Sequence, residues 1–263
     1  MGLEVAKRLS KYTKVMLCGR RKSKLDEARW LLMDYNNIEY VIMDVSKRDD
    51  IQAAVDTAQK LGVVKNVIHT AGVNEYAGGK PNEASYILEN NIKGVQYVAE
   101  GFLPIICEGG SYVNVASMSS YYYPIEDYLD AFKEALKGNF DPVEALVGEE
   151  GAKAYAISKL FVRWYTMCSI DRASARGARI NSISPGLIWT PMSKEFEEKL
   201  PGSMTAFAST LPIGRMGKSE EIADLVELYL KNEGFEVRKF YNGRDALDCV
   251  RTQALDLAIL DVM

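Results

Sequence analysis

Short apolar runs alternate with amphipathic stretches through the first two-thirds of this chain. Lys14-Val15-Met16-Leu17-Cys18 lacks polar alternation and is too short for a helix, so it predicts a buried strand. Four further runs read the same way: 39–43, 66–69, 111–116 and 179–183. Between them, apolar positions at helical spacing predict helices over 3–9, 24–35, 49–61, 85–103 and 155–170. Strands without a polar face, joined by helices, predict a doubly wound α/β fold with a parallel sheet. Ligands of such folds collect at the carboxyl ends of the strands. Those positions hold Cys18-Gly19-Arg20, Asp44, His69-Thr70-Ala71-Gly72, Ser117 and Pro185-Gly186.

Two regions interrupt the alternation. Residues 121–151 form an insertion with Tyr121-Tyr122-Tyr123-Pro124 and two helical stretches. Its aromatic and acidic mix suits a cover over a site, a dimer contact or a solvated excursion. The second interruption is the carboxyl-terminal region. Composition narrows the function. The 263 residues are 48% apolar, with no run long enough to cross a bilayer, so no membrane partner is expected. Met1-Gly2 is followed by Ala6 where a myristoylation signal has Ser or Thr. The formal charge of −4, with signs interspersed, argues against nucleic acid as a partner. Four scattered cysteines and one histidine predict neither a metal site nor a disulfide framework, and fit a reducing cytoplasm.

Tyr155 and Lys159 carry the sharpest chemistry. On a helix they share one face, so the ammonium lies beside the phenol. A phenol titrates near ~10, about three units too high for a base at neutral pH. Those units amount to roughly 4 kcal/mol, about what a cation at ~4 Å supplies at an effective dielectric of ~20.

The company of this pair resembles the short-chain dehydrogenase/reductase family over about residues 1–230. The matches run in order: Asp44-Val45, His69-Thr70-Ala71-Gly72, Asn91-Ile92-Lys93-Gly94, Val113 to Ser117, Tyr155-x-x-x-Lys159, and Asn181 to Gly186 with Thr190. The resemblance implies a Rossmann-like domain and hydride transfer between a nicotinamide and a ketone or secondary alcohol. Tyr155 would exchange the proton, and Lys159 would lower its pKa and hold the nicotinamide ribose. Ser117 would bind the substrate oxygen, and Asn91 would anchor a relay water. Gly2, Asp44, Val45, Ala71, Gly72, Pro185, Gly186 and Thr190 would contact the cofactor. Cys18 stands where an acid would select NAD, and Arg20 and Arg21 follow, which favours NADP with NAD as the alternative. His69 reads as a strand-end residue. The insertion resembles the hydroxysteroid dehydrogenase/carbonyl reductase branch and implies a hydrophobic, steroid-like substrate. The family also implies a homodimer or homotetramer.

Both ends depart from that family. Its first strand and most of its glycine-rich turn would precede Gly2, whose loss predicts weak cofactor binding. Residues 231–263 resemble a response-regulator receiver fragment, with Asp261 at the phospho-acceptor position but no acidic metal-binding pair. A joined reading frame is the simplest account. Phe235 to Phe240 is expected to replace the family's last strand, and Leu255 to Val262 to fill the first-strand slot of the same sheet. Two alternatives to an enzyme stand: a non-catalytic dinucleotide- or protein-binding fragment, and a phospho-receiver.

Overall fold

The computed structural model describes residues 1–35, 37–76, 83–232 and 257–261. The first half alternates as expected: α1 (Gly2–Leu9), β1 (Lys14–Gly19), α2 (Lys22–Leu31), β2 (Ile38–Ile42), α3 (Arg48–Leu61), β3 (Val64–His69) and α4 (Ala84–Phe102). Next come β4 (Ile106–Val115), α5 (Leu129–Leu136), α6 (Asp141–Val147), α7 (Gly151–Cys168), α8 (Ile170–Ser174) and β5 (Arg179–Ile183). The remaining elements are β6 (Ile188–Trp189), α9 (Pro191–Lys199), α10 (Ser203–Thr210), β7 (Gly217–Lys218), α11 (Ser219–Asn232) and β8 (Leu257–Asp261).

Among the described residues the main sheet has six strands, all parallel, in the order β2-β1-β8-β3-β4-β5. Val15, Met16, Leu17 and Cys18 of β1 are at most 1% exposed, which explains why no polar alternation marks the strand. β2 lies at an edge, and there Glu39 and Ile42 face solvent. β8 arrives from the far end of the chain and pairs with β1 from Lys14↔Leu257 to Cys18↔Asp261. On its other side it pairs with β3 from Val64↔Leu257 to Ile68↔Leu260. The segment 255–262 was expected in such a slot, and its described part lies between β1 and β3. Residues 235–240, the other expected strand, lie outside the described residues.

Boundaries shift where a glycine or an edge misleads. α7 begins at Gly151, a turn earlier than periodicity suggests, because the Ala154 N–H closes the first turn on the Glu150 carbonyl. A glycine in an orphaned first turn is cheap. β4 reaches back through Gly109-Gly110 to Ile106. A Cβ on Gly110 would stand 2.7 Å from the Lys65 carbonyl oxygen, so neighbouring backbone demands glycine there. α2 stops at Leu31, short of the expected Tyr35.

The insertion is no solvated excursion. Tyr128, Ala131, Phe132, Ala135, Phe140, Val143 and Val147 are buried in the main core. Phe132 packs edge-on against Phe161 of α7 at 5.2 Å between ring centroids and lies 5.5 Å from Trp164. α5 and α6 thereby pack against α4, and α6 also against α7.

Candidate active site

Four elements converge at the carboxyl ends of β3 and β4. Ser117 leaves β4 and caps a short 3-10 turn over Met118–Tyr121, its Oγ accepting from the Ser119 N–H at 3.3 Å and the Ser119 hydroxyl at 3.1 Å. The Met118 N–H donates to the Pro185 carbonyl at 2.8 Å, tying this turn to the segment after β5. α7 brings up Tyr155 and Lys159 on one face. Lys159 Nζ donates to the Val115 carbonyl at 2.9 Å and lies 5.7 Å from the Tyr155 ring centroid. Gly72 completes the cluster: a Cβ there would come within 3.1 Å of the ammonium and 3.5 Å of Asn91 Oδ1. A side chain at position 72 would press on the end of Lys159, which would have to give by a few tenths of an ångström.

Electrostatics revise one expectation. Burial raises the Tyr155 phenol above its ordinary value, and a hydrogen bond with Ser117 lowers it only in part. The depression anticipated from Lys159 does not emerge: burial dominates the phenol, and burial also pushes Lys159 down to about 8. His69 is buried at the end of β3; burial first, then the Lys159 charge, push it down to about 3. It therefore stays neutral across physiological pH and suits a strand-end residue, not a base.

Asn91 has a different engagement from the expected water anchor. Its Oδ1 accepts from the Val73 N–H at 2.8 Å, and its Nδ2 donates to the Val73 carbonyl at 2.9 Å and to Ser158 Oγ at 2.8 Å. All its amide capacity but one lone pair is thus spent holding the segment after β3 and the helix α7. Ser158 escaped the sequence reading. Its signal was present: it sits three residues after Tyr155, at a spacing that returns it to the same side of the helix.

A second cluster forms at the ends of β1 and β2. Burial tends to raise the Asp44 carboxyl, but hydrogen bonds from Ser46 and the charges of Arg20 and Lys47 outweigh it and hold it low. Arg20 Nη1 also donates to the Tyr86 hydroxyl of α4 at 2.9 Å. Arg21 is exposed at the start of α2, Val45 packs over Gly94, and Gly2 is buried in the first turn of α1. Ala71 is half-buried beside Gly72, and Gly186 is exposed next to the buried Pro185. Thr190 is engaged at α9, where it and Ser193 form a reciprocal cap. The structure therefore gathers Ser117, Tyr155, Lys159, Asn91 and Gly72 into one cluster, and Arg20 with Asp44 into another.

An α/β sheet of this topology with such a cluster defines a dinucleotide-type fold, and sequence comparison agrees. The chain belongs to the short chain dehydrogenase family, whose profile matches residues 1–138; a second profile, Enoyl-(Acyl carrier protein) reductase, matches residues 139–235. The chain is 27% identical to the 3-oxoacyl-[acyl-carrier-protein] reductase FabG of Thermotoga maritima over 202 residues, 74% of this chain and 70% of that protein. A separate 43-residue stretch, 16% of this chain and 19% of its counterpart, is 60% identical to the regulatory protein VanR of Enterococcus faecium. The fold is similar to that of the 3-alpha-hydroxysteroid dehydrogenase from Pseudomonas sp. B-0831, solved in complex with NADH. That match has a TM-score of 0.64 and 19% identity, and covers 94% of this chain and 95% of the other. As a member of this family the chain is an oxidoreductase. No helix among the described residues is long and apolar enough to cross a membrane.

Proposed function

We propose that this chain transfers hydride between a nicotinamide cofactor and a ketone or secondary alcohol, with Tyr155 as the proton-exchanging group. The observation that carries this reading is the meeting of Tyr155, Lys159, Ser117 and Gly72 in one cluster. The residues suit a dinucleotide. Gly72 leaves a side-chain-free cradle beside a cation, and Arg20 supplies a guanidinium at the end of β1. When bound, the nicotinamide supplies or takes the hydride. The protein's own contribution is then proton transfer and positioning. Ser117 Oγ orients the substrate oxygen towards the Tyr155 hydroxyl, and that hydroxyl donates its proton to a forming alkoxide or takes one from an alcohol. Lys159, held between Val115 and Gly72, offers its ammonium to the ribose.

Arg20 and Arg21 support NADP over NAD. A hydrophobic ketone, possessing a steroid-like ring system, suits the aromatic pair Tyr76–Phe196. These rings meet edge-on at 5.3 Å and join the segment after β3 to α9. We read the receiver-like carboxyl-terminal residues as serving the sheet through β8 in preference to a phospho-receiver role. A dimer or tetramer follows the family pattern.

Titration with NADPH and NADH, read by nicotinamide fluorescence, followed by turnover of 2-decalone and of acetone, tests the reading. Binding of either nucleotide with decalone-dependent oxidation supports it. A folded protein that binds neither nucleotide returns the chain to the class of non-catalytic binding fragments. Turnover of acetone alone sinks the hydrophobic substrate class.

A further inference from the structure

The hydrogen bonds around Asn91 converge on a side chain that lies between the two catalytic candidates without touching substrate. We propose that Ser158 is a positioning residue that locks the Tyr155–Lys159 segment of α7 to the segment carrying Gly72, with Asn91 as the intermediary.

Ser158 is fully buried. Its hydroxyl donates to the Tyr155 carbonyl at 2.7 Å and accepts from Asn91 Nδ2 at 2.8 Å. One proton is spent on the helix and one lone pair on α4, so the hydroxyl's direction is set by both partners. Asn91 in turn holds both backbone groups of Val73, the residue after Gly72. A continuous chain of buried bonds therefore runs from Tyr155 through Ser158 and Asn91 to Val73. It crosses three segments: α7, α4 and the turn after β3.

The lock matters because the ammonium has little room. Lys159 Nζ reaches the Val115 carbonyl on one side, and on the other a Cβ at position 72 would crowd it at 3.1 Å. A small slide of α7 along α4 would move phenol and ammonium relative to that fixed slot. Removing the Ser158 hydroxyl leaves a buried Asn91 N–H without its partner and frees that slide. An alanine keeps the Cβ, adds no clash and deletes only the hydroxyl oxygen, so the effect reports chiefly on the two bonds.

This proposal rests on the oxidoreductase reading for its kinetic arm, and a second arm is independent of turnover. The kinetic arm follows NADP-dependent oxidation of 2-decalol against pH in wild type, Ser158→Ala and Ile157→Val, a buried neighbour on the same helix turn. The second arm titrates the phenolate absorbance of each folded protein against its Tyr155→Phe counterpart, isolating one phenol among the 15 tyrosines. We expect Ser158→Ala to lower kcat about tenfold or more with KM within about twofold. Its phenolate limb should move up by about half a unit or more, because a shifted α7 loosens the Tyr155–Ser117 hydrogen bond that partly offsets burial. Ile157→Val should leave both readouts at wild-type values. Ser158→Ala with an unmoved limb overturns the proposal, as does an equal shift from Ile157→Val. If wild type shows no turnover, the oxidoreductase reading falls and the phenolate limb alone decides Ser158. Should Ser158→Ala fail to fold, Ser158→Cys, with a weaker donor of similar size, is read by the same limb: a shift in the same direction supports the lock, and none refutes it.

Discussion

The β3-β4-β5 half of the sheet and the β2-β1 half present opposite kinds of polar chemistry. In the first, polar side chains are buried and tied: Asn91 to Val73 and Ser158, Asn114 to Thr166, Lys159 to Val115. In the second, charges stand at the surface with movable partners: Arg20 with Tyr86, Lys22 with Asp26, Arg21 exposed. A group that must hold a reacting proton within a fraction of an ångström gains from fixed neighbours. A group that must greet a phosphate gains from solvated reach. On the proposed hydride-transfer reading, the fixed half would serve the chemistry and the movable half the choice of nucleotide. Among the described residues, β8 is the only strand hydrogen-bonded to both halves.

The largest effect should come from the fixed half. Tyr155→Phe removes the hydroxyl that meets Ser117 and keeps the ring. Turnover of 2-decalone should fall by about 10²- to 10⁴-fold while nicotinamide binding, measured by fluorescence, changes by less than about twofold. Equal losses in both would place Tyr155 in nucleotide binding and dissolve the division of labour.

Next comes the link between the halves. A proline at Ala258, which pairs with Val15 on one side and Asn66 on the other, removes a ladder N–H from the middle of the sheet. Urea unfolding should show a loss of at least about 3 kcal/mol. Hydrogen exchange should reveal lost protection in β1 and β3 together, with β4 and β5 retained. Unchanged protection in β1 and β3 would show that the halves hold without β8.

Much of this contrast was legible before any coordinates. The strand ends carried it: His69 to Gly72, Ser117 and Tyr155 with Lys159 fell on one side, Arg20 and Asp44 on the other. Period and strand length located the elements, because buried parallel strands are unbroken apolar runs and their helices amphipathic. Three things were hidden. Ser158 looked like any small helical residue, since its value lies in Asn91, which is distant in sequence. The insertion's burial depended on Phe132 meeting Phe161 and Trp164, contacts that a polar-aromatic mix does not announce. The phenol's upward shift arose because spacing shows an ammonium nearby but not how deeply both groups are buried.

That burial predicts a stability effect confined to the fixed half. The Lys159 ammonium is disfavoured in the folded state, its value lowered from 10.5 to about 8 by burial. Between those values the unfolded chain holds a proton that the folded chain has released, so stability rises with pH across this window. Below about pH 8 the full cost is present, up to about 3 kcal/mol for such a shift. Lys159→Met, of similar length and no charge, should therefore be more stable than wild type in urea at pH 7, and the gap should shrink by pH 10. A less stable variant at pH 7 would mean that the bond to Val115 outweighs the burial cost.

The smallest expected effect belongs to the movable half and tests its assignment most directly. Arg20 is solvated, and its guanidinium is shared between the Tyr86 hydroxyl and the field of Asp44. Because Arg20 stands exposed at the end of β1, Arg20→Ala should leave unfolding in urea within about 0.5 kcal/mol of wild type. If the guanidinium meets a 2′-phosphate, NADPH binding should weaken about tenfold relative to NADH, the equivalent of about 1.4 kcal/mol. Tyr86→Phe, which removes one acceptor and leaves the cation, should shift that ratio by less than about twofold, or slightly in favour of NADPH, because the arginine loses a competing acceptor. A ratio unchanged by Arg20→Ala would move selection to Arg21 or away from this half altogether. Equal weakening of both nucleotides would make Arg20 a general phosphate contact, and the contrast between the halves would then be one of rigidity alone.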